Sequence, residues 1–137
     1  MPGKSLMETL NPILLRIILV MVGGGLGSVS RYGVTLLAAD LFGTRFPWGT
    51  LLVNLSGCFL IGLTFSLGER TTLVSPSLRL FFMTGFLGGL TTFSTFALET
   101  VNSARAAASL ATAANFLSNN VLGAALVFLG IWVGRLV

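Results

Sequence analysis

Four long apolar stretches constrain the fold of this chain more than any other feature. They cover about residues 13–39, 49–68, 77–103 and 106–133. Each reaches the roughly 20 residues that an α-helix needs to cross a bilayer. Only 9% of the residues are charged, whereas soluble domains have roughly 25%. We therefore predict an all-α integral membrane protein, with four transmembrane helices in a single membrane domain of residues 1–137.

An interruption in the third stretch is its most unusual feature. Thr84–Glu99 reads TGFLGGLTTFSTFALE, in which Gly88 and Gly89 are followed by Thr91 and Thr92. Paired glycines weaken a helix, and nearby hydroxyls compete for its backbone groups. Non-helical backbone at membrane depth is tolerated only where protein or water surrounds it. The pattern therefore indicates either a helix broken to present carbonyls and amides to an ion, or a helix kinked for packing.

The supply of reactive side chains excludes most enzyme classes. The chain has no histidine and a single cysteine, Cys58, within an apolar run. Its four acidic residues are scattered, with no pair that suggests a carboxylate dyad. The net charge of +4 comes from isolated basic residues beside apolar runs, which is typical of membrane-interface anchors rather than nucleic-acid binding. We predict that the chain is not an enzyme and does not bind nucleic acid.

The first span combines small residues with one charge. Gly23, Gly24, Gly25 and Gly27 form a cluster at which helices can approach closely. Arg31 lies beyond the middle of the span. Its guanidinium either reaches the headgroups along its flexible stem or forms an electropositive vestibule that draws anions inward.

Polar side chains also occur inside the second and fourth spans. Thr50 and Asn54 are four residues apart, and Asn115, Asn119 and Gly123 repeat the same spacing, so each set shares a helix face. An amide in lipid costs free energy unless it is hydrogen-bonded. These residues therefore either join helices or line a polar pathway; we prefer the pathway for the fourth span.

Two phenylalanines follow the interruption. Phe93 and Phe96 are three residues apart, so both rings project from one face of the resumed helix. Such pairs most often serve packing. Because the edge of an aromatic ring is electropositive, the same pair can also line the path of a small anion.

The motifs TGFLGGLTTFSTF and WGTLLVNLSG (Trp48–Gly57), with an arginine late in the first helix, closely resemble the Fluc (CrcB-type) fluoride channels. The resemblance extends from about Gly23 to Arg135. It implies a passive, fluoride-selective ion channel that exports cytoplasmic fluoride and lowers its toxicity. The expected location is the cell inner (plasma) membrane, as a multi-pass protein surrounded by lipid.

The resemblance also implies the functional residues. A structural sodium ion at the dimer centre is expected on the main-chain carbonyls of Gly88 and Thr91. The expected anion pathway comprises Asn54, Phe93, Phe96, Thr50, Asn115, Asn119 and Arg31. At the positions of Asn115 and Asn119 some relatives have a tyrosine and a serine. This chain departs from them there but keeps hydrogen-bonding side chains.

The family further implies an antiparallel, dual-topology homodimer with two pores. The charge pattern fits this less well. One side of the predicted topology carries Lys4, Arg16, Arg70, Arg79 and Arg135. The other side carries Arg45 and Arg105. This excess favours cytoplasmic termini and fits a chain that pairs with an oppositely oriented paralogue. We still favour the homodimer, because four short helices alone do not readily enclose a hydrated path.

Two other functions remain open. Small four-helix proton-coupled multidrug-type transporters also form antiparallel dimers, but they have a membrane-embedded glutamate in the first helix, where this chain has Arg31. A non-transporting assembly protein would use the glycines and asparagines only to hold helices together. It predicts that Asn54, Phe93 and Phe96 tolerate replacements of similar size without a change in ion flux.

Overall fold

The computed structural model describes residues 6–137, with side chains from residue 11 onward. Lys4, one of the residues counted for topology, lies outside this part of the chain. The described part is helical and contains no strand. Its α-helices are α1 (Leu6–Phe42), α2 (Trp48–Arg70), α3 (Pro76–Arg79), α4 (Gly88–Leu90), α5 (Phe93–Arg105), α6 (Ser109–Leu117) and α7 (Gly123–Gly134).

These elements combine into four helical spans that are long and apolar enough to cross a membrane. The spans are Asn11–Phe42, Trp48–Arg70, Pro76–Arg105 and Ser109–Gly134. The prediction of an all-α fold with four transmembrane helices is confirmed. The third and fourth spans are composite, because π-helical segments at Leu80–Leu87 and Ser118–Leu122 interrupt them. The sequence patterns did not predict these two segments.

Local chemistry explains the connections between the spans. Gly43 has a φ of 76° and ends α1 in a left-handed conformation that glycine adopts freely. Ser75 caps α3, because its Oγ accepts a hydrogen bond from the N–H of Leu78 at 3.2 Å and Pro76 follows at the first helical position. Ala107, between α5 and α6, has a φ of 55° despite its Cβ.

Glycines allow the first span to contact the third through backbone atoms. A Cβ added at Gly27 would overlap the carbonyl oxygen of Phe86, and one added at Gly23 would overlap that of Phe81. We call this contact the glycine seam; it comprises Gly23 and Gly27 of the first span and Gly85 and Gly89 of the third. A Cβ at Gly25 would meet nothing within 4 Å, so the cluster divides into packed and open faces.

The buried core is small. Val53, Leu87 and Leu90 form its centre, and partly buried side chains of α1, α2 and the π-helical segment pack around them. Large apolar side chains elsewhere remain exposed, such as Val29 and Phe128. So much apolar surface suits a lipid environment and would be unfavourable in water.

Candidate functional site at the break in the third span

The third span breaks at its threonines. Helix α4 ends at Leu90, Thr91 and Thr92 are extended with ψ values of 157° and 120°, and α5 begins at Phe93. The sequence predicted an interruption from the glycine pair onward, whereas the helix continues through the glycines. Thr92 restarts the helix, because its Oγ1 accepts a hydrogen bond from the N–H of Thr95 at 3.3 Å, as an N-cap residue does.

Asn54 of α2 hydrogen-bonds the backbone of the third span at the break. Its Oδ1 accepts from the N–H of Thr92 at 2.8 Å. Its Nδ2 donates to the carbonyl of Thr92 at 3.1 Å and to Oδ1 of Asn119 at 2.8 Å. In a continuous helix the N–H of Thr92 would donate to the carbonyl of Gly88, so Asn54 takes a donor that the helix would otherwise use.

From Asn54 a line of hydrogen bonds continues along the fourth span. Asn119 Nδ2 donates to Oδ1 of Asn115 at 3.0 Å, and Asn115 Nδ2 donates to Oγ1 of Thr100 at 2.9 Å. Thr100 Oγ1 donates in turn to the carbonyl of Phe96 at 2.8 Å. We call Asn54, Asn119, Asn115 and Thr100 the polar track. Asn115, with 1% of its surface exposed, is its most buried member.

One backbone group sets the direction of this whole track. The N–H of Thr92 can only donate, so the atom of Asn54 that it meets must be the oxygen. The nitrogen of Asn54 must then donate to the oxygen of Asn119, and the same reasoning fixes Asn115 and Thr100. The track is therefore polarised from the break in the third span to the carbonyl of Phe96, and its bonds strengthen one another.

Thr50, predicted on the same face as Asn54, joins a different partner. Its Oγ1 donates to Oε1 of Glu99 at 2.8 Å, and Thr50 itself is buried. The other carboxyl oxygen, Oε2, is buried and has no hydrogen-bond partner among the described residues. The sequence patterns assigned no role to Glu99, although it follows Phe96 by one turn and so shares a helix face with that ring.

Arg31 contacts the third span just before the break. Its Nε donates to the carbonyl of Gly89 at 3.1 Å, and its side chain is half-buried. Beside it is a cavity of about 270 Å³ that Thr50, Thr95 and Glu99 also line. The guanidinium and the Glu99 carboxyl therefore border the same cavity, and the vestibule role of Arg31 stays a prediction.

The two phenylalanines are neighbours with unequal burial. The centroids of the Phe93 and Phe96 rings are 5.7 Å apart. Phe96 is 5% exposed and Phe93 is 77% exposed. Both rings line a cavity of about 310 Å³ together with Asn54 and Asn119, so aromatic rings and amides border the same space.

Main-chain carbonyls beside the break are candidate ligands for a cation. Within the described part of the chain, no group of three or more His, Cys, Asp or Glu side chains could hold a metal ion. Gly88 and Thr91 line the cavity beside the break. Their usual helical donors, the N–H groups of Thr92 and Thr95, donate instead to side-chain oxygens. Carbonyls relieved of these bonds are suited to a hard cation.

Comparison with known families agrees with this architecture. A sequence model described as CrcB-like protein, Camphor Resistance (CrcB), matches residues 18–131. The chain belongs to the CrcB-like family. The resemblance inferred from the motifs is thereby confirmed, and the matched region of this CrcB-like chain includes the break, Arg31 and the whole polar track.

Individual relatives match this CrcB-like chain over most of their length. A protein of Agrobacterium fabrum is 45% identical over 122 residues, which cover 89% of this chain and 98% of the relative. One from Dehalococcoides mccartyi is 42% identical over 120 residues, covering 88% and 92%. One from Nitrosococcus oceani is 39% identical over 118 residues, covering 86% and 94%. Each of the three is named a fluoride-specific ion channel, FluC. Family membership and the four apolar spans identify a multi-pass membrane protein.

Proposed function

We propose that this chain forms a passive, fluoride-selective ion channel that exports fluoride from the cytoplasm and so lowers its toxicity. The observation that carries the proposal is the match, over nearly the whole chain, to bacterial proteins named fluoride-specific ion channels. Because these relatives are bacterial, we place the channel in the cell inner (plasma) membrane.

The proposed pathway begins at the positive charge of Arg31 and continues to Asn54 beside Phe93 and Phe96. A charge within a membrane span usually marks an ion route, and the cavity beside Arg31 supports this role. Fluoride then loses part of its hydration shell to amide N–H groups and to the electropositive ring edges. Thr50, Asn115 and Asn119 complete the proposed pathway.

The bonding of Asn54 suggests how an anion is accepted. Its Nδ2 donates to two acceptors, the carbonyl of Thr92 and Oδ1 of Asn119. Exchanging one acceptor for fluoride leaves the other bond in place, so the amide keeps its orientation while it contacts the ion. A charged acceptor also forms the stronger hydrogen bond, which favours the exchange.

We further propose a structural sodium ion on the main-chain carbonyls of Gly88 and Thr91, at the centre of an antiparallel homodimer. When bound, this ion supplies a fixed positive charge. Two broken spans facing each other at mid-membrane would bring both sets of carbonyls to one point. The exposed ring of Phe93 supports a partner subunit at this face; an oppositely oriented paralogue is the other candidate partner.

Anion efflux from liposomes that contain the purified protein tests the channel proposal. A fluoride electrode and a chloride electrode record release in parallel, with a potassium ionophore to balance charge and protein-free liposomes as the control. We expect rapid loss of fluoride with chloride retained. Folded dimers that release no fluoride, alone or with a paralogue, would overturn the proposal. Uptake of an organic cation driven by a pH gradient would instead support a proton-coupled multidrug-type transporter.

A further inference from the structure

Two side chains divert the backbone donors that would otherwise occupy the predicted cation ligands. The N–H of Thr92 donates to Oδ1 of Asn54 at 2.8 Å rather than to the carbonyl of Gly88. The N–H of Thr95 donates to Oγ1 of Thr92 at 3.3 Å rather than to the carbonyl of Thr91. A continuous α-helix would make both of these i+4 bonds, but Thr91 and Thr92 are extended and neither bond forms.

We infer that Asn54 and Thr92 are positioning residues that keep the carbonyls of Gly88 and Thr91 available to a cation. The inference rests on the sodium site proposed above. A backbone N–H inside a membrane must find an acceptor. If the side-chain oxygen is removed, a continuing α-helix offers the carbonyl of residue i−4 as the acceptor, and rebonding there removes a cation ligand.

The carbonyl of Gly89, which lies between the two, is bonded differently. It accepts from Nε of Arg31 at 3.1 Å, so a cationic side chain already occupies it. Of these three carbonyls, only those of Gly88 and Thr91 would therefore remain available to a cation, because their helical N–H donors bond side chains instead. Asn54 also bonds Asn119 at the head of the polar track, so one amide links the proposed cation site to the proposed anion pathway.

The most direct test compares Thr92→Val with Thr92→Ser. Valine has the shape of threonine without its acceptor oxygen, whereas serine keeps the oxygen and serves as the matched control. Each protein is purified without sodium, and its melting temperature is measured against sodium concentration, with N-methylglucamine chloride holding the ionic strength constant. Sodium that binds the folded state raises the melting temperature by mass action.

We expect sodium to raise the melting temperature of the wild-type protein and of Thr92→Ser. For Thr92→Val the half-saturating sodium concentration should rise about fivefold for each carbonyl that gains a backbone hydrogen bond, because sodium must then displace that neutral hydrogen bond. Asn54→Leu provides a second, independent variant, because it removes the acceptor that diverts the N–H of Thr92. It should shift the sodium dependence in the same direction.

The outcomes distinguish this inference from the sodium-site proposal on which it rests and from the channel proposal. A sodium response in the wild-type protein that is unchanged in Thr92→Val and Asn54→Leu would overturn the positioning role while leaving the cation site intact. A wild-type protein that conducts fluoride but shows no sodium response would overturn the cation site, and the positioning role with it. A wild-type protein that lacks fluoride efflux but keeps the sodium response would count against the channel proposal alone.

Discussion

The glycine seam and the polar track hold the third span to its neighbours in opposite ways. At the seam, backbone touches backbone, and a Cβ at Gly23 or Gly27 would overlap a carbonyl of the third span. Along the polar track, side chains make the contact, through hydrogen bonds of 2.8–3.0 Å between them. The half of the span before the break is therefore positioned by shape, and the half after it by directional bonds.

This difference suggests a division of labour. Close packing without side chains tolerates no added volume and makes a rigid base. A fully satisfied polar track also rigidifies the structure, but it does so through the direction of its hydrogen bonds. The break at Thr91 and Thr92 joins the two regions, and the proposed cation ligands Gly88 and Thr91 lie just before it and within it.

The largest expected effect is steric and falls on the glycine seam. Gly27→Ala places a methyl group against the carbonyl of Phe86, and we expect the free energy of unfolding to fall by about 3 kcal/mol. Gly33→Ala is the control, since a Cβ there meets nothing within 4 Å. Unfolding in sodium dodecyl sulfate, followed by circular dichroism, measures both. Equal losses in the two variants would mean that the seam has no special steric demand.

The next effect concerns ion flux rather than stability. Phe96→Ile keeps an apolar side chain at a buried position but removes the ring edge, so we expect fluoride efflux to fall by roughly tenfold or more, the factor for 1.4 kcal/mol on a barrier. Phe128→Ile, at a ring that is 74% exposed on α7, should leave efflux unchanged. Liposome efflux measures both variants, and an undiminished rate for Phe96→Ile would remove this ring from the pathway.

A smaller loss is expected from breaking the polar track in its middle. Asn115→Leu preserves the size of the side chain and removes the bonds to Asn119 and Thr100, so we expect a loss of about 1 kcal/mol in unfolding free energy. The control is Asn120→Leu, because Asn120 is exposed and its amide bonds only its own helix, at the carbonyl of Phe116. If both variants unfold alike in the same detergent titration, the track contributes nothing to stability beyond its apolar packing.

The smallest effect lies in the turn between α5 and α6, outside both regions, and has the opposite sign. Ala107 has a φ of 55°, which costs a side-chain-bearing residue roughly 1 kcal/mol. After the added freedom of the unfolded chain is subtracted, Ala107→Gly should gain about 0.5 kcal/mol. Ala106→Gly, at a φ of −80°, should lose a similar amount. A loss in both variants would show that the left-handed turn carries no strain.

Several features could be predicted from the sequence because they depend on local composition. The lengths of the apolar stretches predicted four spans, and the motif in the third span indicated the family. The helix spacing of Phe93 and Phe96 correctly indicates neighbouring rings, with centroids 5.7 Å apart. Spacing alone did not reveal that Thr50 bonds Glu99 while Asn54 bonds Thr92, because the pattern of one helix does not show which residues of the third span pack against it.

The position of the break illustrates the limit most clearly. Helix propensity disfavours the glycines, yet the helix runs through Gly88 and Gly89 and ends only after Leu90. A Cβ at Gly89 would overlap the carbonyl oxygen of Gly24 in α1, whereas the helix ends where Asn54 and Thr92 supply oxygen acceptors to two N–H groups. Composition and periodicity thus determined the membrane class and the span count, and the motif resemblance supplied the candidate residues. Only the tertiary structure showed that the N–H of Thr92 leaves the helical pattern, because its acceptor is a side chain of another span whose position depends on the packed helices.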